Sequence, residues 1–256
     1  MPDPTGRYFY TVGKRIDKEV DLYRFSKPHF MKVDLKSGEI VKEVPFDPQD
    51  EGPGYNTRLA MAPDGKTLYI FQKKVLIVDT ADLKVVDRID LQKPDFAGMQ
   101  GVGMGGGLET LREPGKYTSV FISDDPYIHN KVFGIARFDL TARTFDFQPI
   151  GPAPKEMAGL EVTPDGKDGY TVAVMGELGS QRCEFWHFEL ATNKALDKAE
   201  FPCRSRFYFS MSRDGKKLYI YGAGYDIAVY DAKTLKFEKD WELTNDITMA
   251  GLLTLP

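Results

Sequence analysis

One phrase returns along the chain at nearly constant intervals: a tight turn, an apolar strand, then a second strand ending on aspartate. Pro63-Asp64-Gly65-Lys66 leads into Thr67-Leu68-Tyr69-Ile70-Phe71, and Pro164-Asp165-Gly166-Lys167 into Tyr170-Thr171-Val172-Ala173-Val174. Arg213-Asp214-Gly215-Lys216 leads into Leu218-Tyr219-Ile220-Tyr221. Looser copies are Pro4-Thr5-Gly6-Arg7 before Tyr8-Phe9-Tyr10 and Pro114-Gly115-Lys116 before Tyr117-Thr118-Ser119-Val120-Phe121. The glycines fall at 6, 65, 115, 166 and 215, in steps of 59, 50, 51 and 49. A repeat of that length with strand-type residues in every copy buries its core by stacking on its neighbours, and the chain is read as an all-β β-propeller.

A second phrase fills the rest of each unit. Val33-Asp34-Leu35-Lys36-Ser37-Gly38, Val78-Asp79-Thr80-Ala81-Asp82-Leu83 and Phe138-Asp139-Leu140-Thr141-Ala142-Arg143 share it, as do Phe188-Glu189-Leu190-Ala191-Thr192-Asn193 and Tyr230-Asp231-Ala232-Lys233-Thr234-Leu235. A carboxylate there accepts hydrogen bonds from the free N–H groups of a tight turn, so these aspartates are read as structural, not catalytic. The units divide the chain at about 1–50, 51–93, 94–151, 152–202 and 203–246, as five four-stranded blades of one domain. The first unit begins at its turn and lacks an inner strand. Residues 247–256 supply a strand with no unit after it, and Met249-Ala250-Gly251-Leu252 echoes Met157-Ala158-Gly159-Leu160. The expectation is that this last strand completes the first blade and removes two open edges. The alternative is that the five units belong to a seven-bladed propeller.

Composition narrows function mainly by exclusion. Seventeen Phe and thirteen Tyr suit pleated strands. A net charge of −4 and a pI near 5.5 supply no general attraction to nucleic acid or anionic membrane. No apolar run reaches the length needed to cross a bilayer as a helix. Met1-Pro2-Asp3-Pro4 has neither the charged nor the apolar region of a signal peptide, so no export signal is read in this numbering.

The repeat resembles the propeller repeats of YVTN-type surface proteins and of amine dehydrogenase propeller subunits, above all the β chain of quinohaemoprotein amine dehydrogenase. The resemblance is carried by Phe207-Tyr208-Phe209-Ser210-Met211-Ser212-Arg213-Asp214-Gly215-Lys216-Lys217-Leu218-Tyr219-Ile220 and by Gly222-Ala223-Gly224-Tyr225-Asp226-Ile227-Ala228-Val229-Tyr230-Asp231. The long excursion from Lys14 to His29 belongs to it as well. It implies a periplasmic or extracellular propeller with no cofactor of its own, which packs against partner subunits bearing a quinone cofactor and haem in a hetero-oligomer. No residue here matches a catalytic motif of that family, whose chemistry lies in another subunit. The favoured reading is therefore a non-catalytic subunit acting by protein–protein contact. A metal-dependent lactonase-like hydrolase is one alternative, for which Glu161 and Asn56 make a poor ligand set. A YVTN-type surface or binding module is the other.

Candidate sites follow from where propellers bind. The mouth of the central channel, lined by inner strands and the loops entering them, contains Tyr55, Arg58, Arg204, Arg206 and Tyr208. Tyr and Arg are enriched where interfaces have energetic centres, but the same residues can simply plug the channel. Cys183 and Cys203 flank one strand pair, whose antiparallel register sets Cys183 opposite roughly 201–203. Either a disulfide or two buried thiols is compatible with that spacing. Gly101-Val102-Gly103-Met104-Gly105-Gly106 matches a dinucleotide fingerprint in letters, with Asp124 eighteen residues on, but strand grammar surrounds it and Pro114 cuts short any helix. His29, His129 and His187 each fall at or near the start of a third strand in different units and cannot converge on one metal. Asp124-Asp125 supplies too few oxygens for calcium.

Overall fold

The computed structural model describes every residue except 51, 53, 55, 56, 94–98, 105–114, 126, 128, 129 and 248–256. Five antiparallel sheets follow one another along the described chain. The first is β1 (Tyr8–Gly13), β4 (His29–Asp34) and β5 (Ile40–Pro45), with a separate hairpin, β2 (Ile16–Lys18) and β3 (Tyr23–Phe25), inserted after β1. The second is β6 (Arg58–Met61), β7 (Thr67–Phe71), β8 (Lys74–Asp79) and β9 (Val85–Asp90). The third is β10 (Gln100–Met104), β11 (Lys116–Asp124), β12 (Lys131–Asp139) and β13 (Thr144–Pro152).

In the fourth sheet the inner position is shared by two short strands, β14 (Glu156–Met157) and β15 (Glu161–Val162). Both pair with β16 (Asp168–Met175), which continues to β17 (Arg182–Glu189) and β18 (Lys194–Phe201). The inner strand is thus interrupted at Ala158 and Gly159, and Thr171 Oγ1 donates to the Ala158 carbonyl across the break at 2.9 Å. The fifth sheet is β19 (Tyr208–Met211), β20 (Lys217–Tyr221), β21 (Asp226–Asp231) and β22 (Phe237–Glu242).

Local chemistry explains the repetition. The glycines at 6, 65, 115, 166 and 215 all have left-handed φ, between 68° and 81°, a region that a Cβ disfavours. The Gly65 N–H donates to the Ala62 carbonyl at 2.9 Å and the Gly215 N–H to Ser212 at the same distance, closing the turn between inner and second strand. The other turn is held as its aspartates imply. Asp34 Oδ1 accepts from the N–H groups of Lys36 and Ser37, and Asp139 Oδ1 from Thr141 and Ala142. Four residues after the carboxylate the chain turns left-handed at Gly38, Leu83, Arg143, Asn193 and Leu235. Leu83 and Leu235 tolerate that strain because both side chains are buried. Each third-to-outer strand pair carries one register shift, which adds local twist.

Neighbouring sheets pack face to face in chain order. Tyr10 and Phe30 of the first sheet meet Leu68, Ile70 and Leu76 of the second. Tyr69 and Phe71 of the second meet Tyr117, Phe121 and Phe138 of the third. Val120, Phe133 and Ile135 meet Ala173, Trp186 and Phe188 of the fourth, and Val172, Phe185 and Phe201 meet Ile220, Ala228 and Tyr230 of the fifth. The turns also stack: a Cβ on Gly65 would come within 3.0 Å of Pro4, and one on Gly215 within 2.8 Å of Pro164.

The expected closing strand, apart from Ile247, lies outside the described residues. On the inner edge of β1, Pro2 bridges to Phe9, with the Tyr10 N–H donating to the Met1 carbonyl at 2.7 Å. Cys183 and Cys203 are bonded, with Cα atoms 5.2 Å apart.

Candidate functional site

The end of the sheets at which the inner strands begin carries a cavity of about 660 Å³, opposite the end bearing the repeat glycines. Arg58 opens β6 and pairs in register with Phe71, the last residue of β7. The next two residues, Gln72 and Lys73, form the tight turn into β8 and put their side chains on the cavity. From the third sheet come Gly101 to Gly103 of β10, Ile122 to Asp124 at the end of β11, and Lys131 at the start of β12; Met157 reaches in from the fourth. The floor and walls are apolar at Phe71, Val102, Val120 and Ile122, while the charged residues among the described lining are Arg58, Lys73, Lys131 and Asp124.

Two arrangements hold this geometry. Backbone bonds tie the parts together, with the Val102 N–H donating to the Leu91 carbonyl at 2.7 Å and the Leu91 N–H to Lys73 at 3.1 Å. The segment that brings Gly52, Gly54 and Thr57 to the wall is anchored by Asp50, whose carboxylate is fully buried and accepts two hydrogen bonds from Arg88, at 2.7 and 2.8 Å. Beneath Arg58, Phe71 meets the buried Tyr117 edge to face at 4.6 Å. Burial pushes the Tyr117 hydroxyl above its ordinary value of 10.0, and its hydrogen bond with Ser119 and the charge of Arg58 pull the other way.

The candidate residues do not form one site. Arg58 lines the cavity. Arg204 makes a bidentate ion pair with Asp226 and donates to the Gly222 carbonyl, so it clamps the turn between β20 and β21. A bidentate guanidinium–carboxylate pair fixes the geometry of that turn. Tyr208 packs against Tyr221, ring centroids 5.6 Å apart, in the apolar cluster of Tyr219 and Ile227. Arg206 is exposed and does not line the cavity. Tyr55 lies outside the described residues.

The remaining motifs resolve as structure. Gly101 to Met104 are strand β10 itself, paired with β11, and so do not form the strand-to-helix turn that a dinucleotide fingerprint needs. Gly105 and Gly106 lie outside the described residues, as does His129. His29 begins β4, but His187 is the sixth residue of β17, stacked on Tyr170 at 4.5 Å and 2.9 Å from Asp168. Among the described residues no three His, Cys, Asp or Glu side chains cluster so as to hold a metal ion.

Lys73, Gln72 and Lys131 were not singled out from the sequence. A signal was present, since basic residues stand at the second-to-third strand turn in two successive units, at Lys73-Lys74 and Lys131.

No family model matches the chain, and no curated protein does. Solved structures do. Hydrazine synthase of Kuenenia stuttgartiensis is similar over 91% of this chain, with a TM-score of 0.55 and 19% identity. The Cps50 (Swd1) β-propeller domain of Myceliophteria thermophila is similar over 94%, with a TM-score of 0.51 and 11% identity. The fold is a β-propeller. The complex of KlAtg21 with the coiled coil of AgAtg16 is similar over 90%, with a TM-score of 0.54 and 13% identity. This propeller chain spans 63% of the hydrazine synthase chain and 71% of the Swd1 domain. Identities this low speak to the fold alone.

Proposed function

We propose that this propeller is a non-catalytic subunit that works by protein–protein contact, docking through the β2–β3 hairpin. The observation that carries the reading is the exposure of that hairpin. Ile16 is 56% exposed, Tyr23 59% and Phe25 62%, and at its tip Leu22 is 52% and Val20 99% exposed. The register sets Ile16 opposite Phe25 and Lys18 opposite Tyr23, so three apolar side chains share one face with Lys18, while Asp17 and Arg24 share the other. A lone two-stranded ribbon is marginal in water, and contiguous exposed apolar surface of this kind marks interaction sites.

The partner we propose is a quinone- or haem-bearing subunit of an amine-oxidising oxidoreductase in the periplasm, with the whole of 1–256 as one ring. The excursion from Lys14 to His29 is the part of the sequence in which the resemblance to the quinohaemoprotein amine dehydrogenase β chain and the exposed hairpin coincide. That a propeller of similar fold is found in complex with a coiled coil is consistent with contact as the working mode. The test is to purify the tagged chain from its native cells and measure mass by light scattering, haem absorption and quinone staining. A hetero-oligomer carrying haem or quinone, lost on Val20→Asp with Phe25→Ser, is the expected result. A chain that elutes alone at 28.9 kDa, or with a partner carrying neither group, overturns the reading.

A further inference from the structure

We propose that the Cys183–Cys203 bond is a site of thiol–disulfide exchange with a dithiol reductant, entered at the Cys203 sulfur, and that opening it releases the linker between the fourth and fifth sheets. Topology shows what the bond fixes. β17 and β18 are already paired from Cys183 opposite Phe201 to Glu189 opposite Lys194. On its other side Cys183 lies opposite Val174 of β16. That ladder sets the register of the hairpin without a covalent tie. Cys203 stands two residues beyond Phe201, outside any strand, in the linker 202–207 that leads to β19. What the bond adds is a fixed start to that linker.

The next residue makes the hold double. Arg204 pairs with Asp226 at the head of β21 and donates to the Gly222 carbonyl. Two consecutive residues thus tie the linker to two different sheets, Cys203 to the fourth by a covalent bond and Arg204 to the fifth by hydrogen bonds. Only the first tie is broken by reduction.

Exposure decides which sulfur is attacked. Cys183 is 1% exposed and sits in the apolar cluster of Val174, Phe185 and Phe201, whereas Cys203 is exposed. Exchange needs a thiolate to reach the sulfur it attacks, so entry is at Cys203. That attack forms a mixed disulfide on Cys203 Sγ and breaks its bond to Cys183 Sγ, which takes the electron pair and then a proton from water. The second thiol of the reductant attacks its own sulfur in the mixed disulfide and releases Cys203 as a thiolate. The protein ends as two thiols, and the reductant as a disulfide. Burial makes the Cys183 thiol a poor leaving group and keeps it beside the mixed disulfide, where it can reverse the step. A dithiol completes the reaction before that reversal, and a monothiol does not. None of this uses the β2–β3 hairpin, so the exchange site and the docking reading stand or fall separately.

The probes are dithiothreitol, glutathione as the monothiol, and a thioredoxin whose resolving cysteine is replaced by serine so that the mixed disulfide persists. Each is added to the whole native protein without denaturant. Dithiothreitol is expected to free both thiols, and glutathione at equal thiol concentration to do so several-fold more slowly. Mass spectrometry should find the trapping thioredoxin on Cys203 and not on Cys183. In the reduced protein, hydrogen exchange should speed several-fold at residues 202–207 while the amides of β17 and β18 keep their protection. Asp226→Asn, which weakens the second tie, should speed reduction several-fold, and Asp17→Asn, on the hairpin, should leave the rate unchanged. Should Asp226→Asn unfold the protein, Arg204→Lys keeps the charge, gives up the bidentate geometry and serves in its place. The proposal is overturned by a bond that resists dithiothreitol in the native protein or by adducts on Cys183. It is overturned equally by faster exchange in β17 and β18 in place of 202–207, or by variants of the Arg204–Asp226 pair that are reduced at the parent's rate.

Discussion

Strand β16 of the fourth sheet buries six residues in a row, Gly169 to Val174, whereas β1, the equivalent strand of the first sheet, buries only Tyr10. The fourth sheet has core on both faces, against the third sheet through Trp186 and Phe188 and against the fifth through Phe185 and Phe201. Among the described residues the first sheet contributes to one core cluster, through Tyr10 and Phe30, with Phe46 just after β5. The two sheets share the same turns, so the repeat specifies a strand plan and the neighbours specify how much of it becomes core. What the first sheet does not use for packing stays exposed, and its hairpin is the extreme case.

Breaking that comparison requires paired substitutions. Phe185 is fully buried, ringed by Phe201, Phe209 and Tyr230. Phe185→Ala should cost about 3–5 kcal/mol in urea unfolding. Phe25→Ala, on the hairpin, should stay within about 0.5 kcal/mol while reducing partner binding. Equal costs would end the distinction. The disulfide sharpens it next: Cys183 and Cys203, 20 residues apart, close a loop whose release by Cys203→Ser should cost about 3 kcal/mol. Reductant should reproduce that loss in the parent and add nothing in the variant.

Between the two regions lies the anchor of the cavity wall. Arg88→Ala leaves the Asp50 carboxylate buried and unpaired and should destabilise by about 2 kcal/mol, less than for a fully enclosed pair because Arg88 is partly exposed.

The smallest effect is expected from acid, and it should not distinguish the regions. Backbone N–H groups of Ser37 and Lys36 hold Asp34 below the usual carboxylate value of 3.8, and those of Ala142 and Thr141 do the same for Asp139. Backbone and side-chain hydrogen bonds from Thr234 lower Asp231. Carboxylates with depressed folded values contribute stability that is present above 3.8 and lost as the pH falls through the folded value. Unfolding midpoints measured from about pH 6 down to about pH 2 should therefore hold steady and then fall below about pH 4. Asp34→Asn and Asp231→Asn should flatten that fall alike.

What was legible in the sequence is what a few neighbouring residues decide. A left-handed glycine in the first turn and a carboxylate at the head of the second act within one or two turns of chain, and they recur at every repeat. The same logic does not reach contacts that are distant in sequence. The pairing of Arg204 with Asp226, 22 positions away, is one. The split of the fourth sheet's inner strand around Ala158 and Gly159, where β14 and β15 pair separately with β16, is another.

The candidate site depends on such distances most of all. Arg58, Gln72 and Lys131 belong to two sheets, and their side chains reach one cavity only because those sheets stack on Phe71, Tyr117 and Phe121. Sequence by itself determined the repeat, its turns and the propeller class, because those rest on local hydrogen bonds and backbone conformation. Which side chains became core, which came to line one cavity and which were left on an exposed hairpin was decided by tertiary packing. Burial is a property of what lies opposite a residue, and only the stacked sheets supply it.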